Sequence, residues 1–158
     1  MPRETVLSEA MAILGDLTGG TLTFDESGLC GLTHQDGFVA TLMTTPDSDI
    51  LLLSAQLAEV PDDGREGFFA WMLRLNFLGF ETGGAALAID EEERHVYLSH
   101  GVPLARVDAQ ALVTVVGNFI EAAASIRIRI LAELTTGAPG SPRPLEGAQG
   151  QSPGWILA

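Results

Sequence analysis

Along residues 3–18, Leu7, Ala10, Leu14 and Leu17 recur at steps of three and four, with Val6 and Ile13 widening the stripe. Glu9 and Asp16 lie off it. That period predicts an amphipathic first helix. Pro2 suits its entry and Gly19-Gly20 its exit, because glycine readily takes the left-handed conformation that closes a helix. From Thr21 to Val60 the period drops to two. In TLTFD, Leu22 and Phe24 share a face; in LCGLTH, so do Cys30, Leu32 and His34; in FVATLMTT, so do Phe38, Ala40 and Leu42. Turns at DESG, Gln35-Asp36-Gly37 and Pro46-Asp47 separate these runs from ILLLSAQL, whose Ile50 to Leu53 is apolar on both faces. Such short connections require antiparallel neighbours, so the reading is a four-stranded meander.

Pro61-Asp62-Asp63-Gly64 opens a second helix, its acidic residues placed at the positive end of the helix dipole. The body, GFFAWMLRLNFLGF, carries Phe68, Phe69, Trp71, Met72, Leu73, Leu75, Phe77 and Leu78 around nearly its whole circumference. A helix apolar all round must be covered all round. One small domain offers one sheet face, so the other side of this helix calls for a second copy of the chain. Burying two of its aromatics stabilises by roughly 3–6 kcal/mol. The expectation is a homodimer with Phe68, Trp71, Met72 and Leu75 at its interface.

After Thr82-Gly83-Gly84, the strands AALAID and HVYLSH flank a charged turn, Asp90-Glu91-Glu92-Glu93-Arg94. Asp108 is a good N-cap for a third helix over about 109–134, with Leu112, Val116, Phe119, Ala123, Ile126 and Ile130 as its stripe. At 1.5 Å per residue it is roughly 39 Å long, enough to cross the sheet. Gln110, Asn118 and Glu121 within it argue for a helix of a soluble protein over a membrane span. The fold class is therefore α+β: an antiparallel twisted sheet with three helices, in the order α-ββββ-α-ββ-α. Residues 1–136 form the domain, and 137–158, rich in Gly, Pro, Ser and Gln, read as a disordered tail.

Charge and composition narrow the function. Eight Arg plus Lys against 21 Asp plus Glu leave a net charge of −13, which repels phosphate backbones and anionic lipid; neither nucleic acid nor membrane insertion is expected. All the cations are arginines, so a Walker-type phosphate lysine and a lysine Schiff base are both excluded. A single cysteine, Cys30, permits neither an internal disulfide nor a Cys-rich zinc site, and its strand phase marks it as a buried, inert thiol.

The remaining candidates for chemistry are weak. His34, His95 and His100 do not follow metal-ligand spacing. The acidic turn lacks the alternating ligands and central glycine of a calcium loop. No Gly-x-Ser-x-Gly elbow occurs, and Gly79-Phe-Glu-Thr-Gly-Gly lacks the lysine and the following helix of a phosphate loop. No catalytic residue, metal or cofactor is expected. Apolar faces in an acidic frame point instead to a surface for binding protein.

The run LRLNFLGFETGGAALAIDEEERHVYLSHGVPLARVD, Leu73 to Asp108, carries an ordered set of features. Asn76-Phe77 ends a helix, Gly83-Gly84-Ala85 steps into an Ala/Leu strand, Asp90 opens an acidic turn, and Pro103-Leu104 precedes a long helix. Upstream, DESGLCGLTHQDG and LLLSAQLAEVP extend the likeness, which covers about residues 4–134. In this the chain resembles the class I type III secretion chaperones of Gram-negative bacteria, the Tir-chaperone group. The resemblance implies a cytoplasmic, homodimeric, ATP-independent chaperone that binds the N-terminal chaperone-binding segment of a secreted effector. It also implies effector grooves on the first helix and the sheet, here Leu14, Leu22, Phe24, Leu32, Phe38 and Leu42. Two other readings keep the same architecture: a dimeric adaptor that binds a folded partner, and a small-ligand binder or enzyme using the sheet's concave face.

Overall fold

The computed structural model describes residues 3–45, 48–92 and 94–136. Pro2, Pro46-Asp47, Glu93 and the 137–158 tail, all used in the sequence reading, lie outside the described residues. The elements are helix α1 (Arg3–Thr18), strands β1 (Leu29–Thr33), β2 (Val39–Met43) and β3 (Ile50–Glu59), helix α2 (Arg65–Leu75), strands β4 (Ala86–Ile89) and β5 (His95–Pro103), and helix α3 (Ala109–Thr136). Short 3-10 turns at Phe77–Gly79 and Leu104–Arg106 lead out of α2 and into α3. The five strands form one antiparallel sheet in the order β1-β2-β3-β5-β4.

Local signals set the helix ends. The Gly20 N–H donates to Gly15 O at 3.0 Å, and Gly19 has φ 73, which closes α1 where the glycine pair stands. Gly15 itself is required, since a Cβ there would sit 2.6 Å from Gly20 O. Asp108 caps α3 by accepting the Ala111 N–H at 2.8 Å. Arg3 ties the first turn of α1 to the β2–β3 connection by donating to Ser48 O and Thr45 O.

The core lies between the sheet and helices α1 and α3. Cys30 and Leu32, Ala40 and Leu42, Leu51, Leu53, Ala55 and Leu57, and Val96, Leu98 and Val102 all point to this side and are buried. Helix α3 meets them with Leu112, Val116, Phe119, Ala123, Ile126 and Ile130, the stripe its spacing predicted. Ala109–Thr135 is long and apolar enough to cross a membrane by length and composition, but this stripe is spent on the sheet. Helix α2 lies toward the β4 end, with Phe68 fully buried and its ring 5.9 Å from that of Trp71.

The α+β architecture agrees with the sequence reading, and three details differ. Residues 21–24 are extended but join no ladder, so the chain runs α-βββ-α-ββ-α. In the turn that follows, Asp25 accepts the Leu29 N–H at 2.9 Å and the Ser27 N–H at 2.8 Å, and the residues before it line a cleft beside α1. Strand β3 is covered on one face only, since Ile50 is 49% and Leu52 38% exposed. Helix α2 ends at Leu75 and does not run through residue 80, because Leu78 (φ 56) and Gly79 (φ 68) turn the chain left-handed.

Candidate protein-binding surfaces

An apolar surface cluster stands where α2 ends. Leu73, Phe77, Leu78 and Phe80 are between 69% and 83% exposed. Phe77 stands four residues after Leu73 on the outer face of the same helical turn, and the left-handed Leu78 and Gly79 then redirect the chain before Phe80, so helix phase and backbone both contribute to the cluster. Of the four residues assigned to self-association, Phe68, Met72 and Leu75 face the core at 5% exposure or less, and Trp71 is half-buried. The exposed apolar residues are therefore not the four expected at a dimer interface: Leu73 lies on the outer face of α2, and Phe77, Leu78 and Phe80 lie just beyond its end. The signal for the cluster was present in Asn76-Phe-Leu-Gly, a helix stop followed by two large apolar residues.

A second surface lies between α1 and the extended 20–24 segment. Leu7, Met11, Leu22 and Phe24 line a cleft of about 590 Å³, with Glu4 and Asp16 at its rim. Helix α1 forms one side of it and residues 20–24, which lead toward β1, form the other. Among the six residues that the resemblance implied for effector contact, Leu22 and Phe24 are half-buried in this cleft. Leu14, Leu32, Phe38 and Leu42 are core residues, none more than 8% exposed, and present nothing to a partner here. The resemblance implied the first helix and the sheet, but it does not say which of their faces the packing of α1 and α3 buries; Leu14 is on the inner face of α1, and Leu32 and Leu42 are on the inner face of the sheet.

The two outer edges of the sheet are unlike. On β1 the cross-strand bonds His34 N–H to Phe38 O and Thr44 N–H to Gly28 O fix the parity, so the N–H and C=O of Leu29, Gly31 and Thr33 point outward. Asp25 occupies those of Leu29. Among the described residues no hydrogen bond reaches those of Gly31 or Thr33. At the β4 edge the outward groups of Ala85 and Leu87 are occupied by Thr82 and Asn76.

Nothing in these surfaces gathers reactive groups. His34 stacks on Phe38 at 4.8 Å, His95 Nδ1 lies 2.7 Å from Asp90 Oδ2, and His100 Nδ1 lies 3.2 Å from Gly84 O, so each histidine has its own separate partner. Among the described residues, no three of His, Cys, Asp and Glu come together as metal ligands would. The hydrogen bond from His95, with those from the Arg94 and His95 amides, holds the Asp90 carboxyl below its ordinary pKa. Burial raises the pKa of the Cys30 thiol, against a lowering by the backbone of Thr23, which keeps the thiol protonated and unreactive.

The sequence profile of the Tir chaperone protein (CesT) family matches residues 11–127. No curated protein sequence matches the chain. A chain of the ExsC-ExsE complex superimposes with a TM-score of 0.61 at 20% identity, covering 75% of this chain and 90% of that one. One from the heterodimeric ExoU-SpcU complex of the Pseudomonas aeruginosa type III secretion system gives 0.60 at 17%, covering 76% and 93%. One from the Yersinia pestis type III secretion chaperone SycH with a fragment of YscM2 gives 0.55 at 16%, covering 75% and 97%. At these identities the likeness is one of fold.

Proposed function

Because the chain belongs to the Tir chaperone protein (CesT) family, we propose that it is a dimeric, ATP-independent chaperone in the bacterial cytoplasm for the N-terminal segment of a type III secreted effector. The observation that carries this reading is the juxtaposition of the apolar α1 cleft with the open outer edge of β1. An extended client segment can hydrogen-bond to Gly31 and Thr33 and lay apolar side chains against Leu7, Leu22 and Phe24. Such binding requires no bond to be made or broken. A chain without lysine also offers no phosphate-clamping lysine for a nucleotide. Holding the client extended costs roughly 2–5 kcal/mol in ordering, which a large buried area must offset.

The second copy occupies the cluster of Leu73, Phe77, Leu78 and Phe80. A cluster of large apolar side chains that a monomer leaves in water is the kind of surface a self-complementary interface covers. A dimer doubles the cleft and edge, so that one client segment can engage both copies. The test is affinity for the client's N-terminal segment, by calorimetry, in Leu22→Glu and Phe24→Glu. Both weaken binding at least tenfold while the dimer mass stays unchanged. Full affinity in both would remove the cleft from the account.

A further inference from the structure

Asn76 is the residue at which α2 stops, and its side chain performs a task unrelated to the helix. Its Nδ2 donates to Leu87 O at 3.0 Å, and its Oδ1 accepts the Leu87 N–H at 2.7 Å. Leu87 lies on β4, which ends the sheet and has β5 as its one neighbouring strand. The bond from Asp90 N–H to His95 O, with the β4–β5 register, sets the parity: Ala86 and Ala88 bond inward to β5, while Ala85, Leu87 and Ile89 direct their main-chain groups outward. The Asn76 carboxamide therefore meets one donor and one acceptor in the positions where an adjacent strand would meet them. A primary amide has the same donor and acceptor pair as a peptide group, and the Leu87 backbone fixes which way it points.

The next outward position is closed by the same loop. The Ala85 N–H donates to Thr82 O at 3.1 Å, and the Thr82 hydroxyl donates to Ala85 O. Thr82 is the one buried polar residue among those described. Asn76 and Thr82 thus take up two consecutive outward rungs of β4, leaving only Ile89 beside the Asp90 turn. Across the sheet, Gly31 and Thr33 on β1 keep theirs open. An unprotected edge is a template for pairing with another chain.

We infer that Asn76 is a strand-edge stopper: its carboxamide takes the place of a neighbouring strand at Leu87, so that β4 refuses partner strands and the sheet grows only at β1. That β1 receives the client's strand rests on the function proposed above; that β4 is closed by Asn76 does not. Asparagine is suited to this and its homologues are not. Aspartate lacks the donor for Leu87 O, and leucine fills the volume but leaves both main-chain groups of Leu87 without partners.

Hydrogen exchange on the full chain tests the claim without any client. In the unsubstituted protein the Leu87 amide exchanges as slowly as the ladder amides of β5, and the Gly31 and Thr33 amides exchange fast. In Asn76→Ala, Leu87 exchange rises about tenfold, the ratio that corresponds to roughly 1.4 kcal/mol. With β4 open, that variant also forms concentration-dependent assemblies larger than the unsubstituted protein, seen by sedimentation velocity, with an unchanged circular dichroism spectrum. Adding Ala88→Lys, a charge on the same edge, returns the mass to that of the unsubstituted protein. A purely structural tie would lower the melting temperature and leave the mass unchanged. Fast Leu87 exchange in the unsubstituted protein, or an Asn76→Ala variant of unchanged mass at all concentrations, overturns the inference. A client that fails to protect Gly31 and Thr33 would count against the binding reading alone.

Discussion

Phe77 is 71% exposed and Leu73 70%, whereas Leu75, between them, is 5% exposed. Glutamate at Phe77 therefore disturbs no contact within one copy of the chain, and any large effect must come from a second copy. An aromatic side chain brings about 150–250 Å² to an interface. Covering seven-tenths of that area, at about 25 cal/mol/Å², is worth roughly 2.5–4.5 kcal/mol. A twofold interface contains the residue twice, and association recovers only part of the area term. If half survives, Phe77→Glu still costs roughly 2.5–4.5 kcal/mol of dimerisation, about two to three orders of magnitude in Kd. Leu75→Ala is the control. It opens a cavity in the core, costs about 2–5 kcal/mol of folding stability and lowers Tm by about 4 °C for each kcal/mol. Sedimentation velocity over a concentration series reads the first quantity and thermal unfolding the second. The account requires Phe77→Glu to be a folded monomer at concentrations where the parent is dimeric. A parent that is monomeric throughout, or a Phe77→Glu protein of parental mass at every dilution, would refute the placement of the second copy.

Three further outcomes follow from the structure. Leu32→Glu places a charge in the core beside Cys30 and Leu42, so it unfolds the domain, whereas Leu22→Glu in the cleft keeps Tm within a few degrees; circular dichroism melts distinguish them. The Asp90 carboxyl is held below its ordinary pKa, so its contribution is full above that value and is lost as pH falls through the depressed one. Acid titration from about pH 5 to about pH 2 should therefore show a loss of stability that is smaller in Asp90→Asn, measured by urea unfolding at each pH. Cys30 is buried with a raised pKa, so a thiol reagent at neutral pH labels it only as fast as the domain opens; rapid labelling of the native chain would contradict its placement.

The parts of this fold that could be read from sequence are those set by nearest neighbours along the chain. Helix α1 runs over the residues its period and its glycine pair indicate, and Asp108 caps α3 as expected. What escaped depends on residues distant in sequence. Leu22 and Phe24 alternate like a strand, yet they join no ladder and instead line the cleft beside α1, a placement that depends on a contact between elements. The β3 run Ile50 to Leu53 is apolar on both faces, and periodicity alone cannot say which face α1 and α3 will cover. The same ambiguity applies to Leu32, Phe38 and Leu42, and the inner face of α1 adds Leu14: the resemblance implied all four as effector contacts, and the structure buries them. Helix α2 was legible as over-supplied with apolar residues. Its end at Leu75 and the redirection of the chain before Phe80 involve a left-handed backbone at Leu78 that leucine seldom adopts. The role of Asn76 was hidden for the same reason, since its partner Leu87 is eleven residues away on another element.

The central claim is that two copies of this chain hold the extended N-terminal segment of a secreted protein. Purification of the tagged chain from its source bacterium with secretion blocked, followed by limited proteolysis and native mass spectrometry of what stays bound, tests it most directly. The account predicts a protected fragment from the N-terminal part of one secreted protein, in a complex with two copies of the chain, whose retention is lost in Phe24→Glu. An intact folded partner, a complex containing one copy, or no bound protein at all would contradict it.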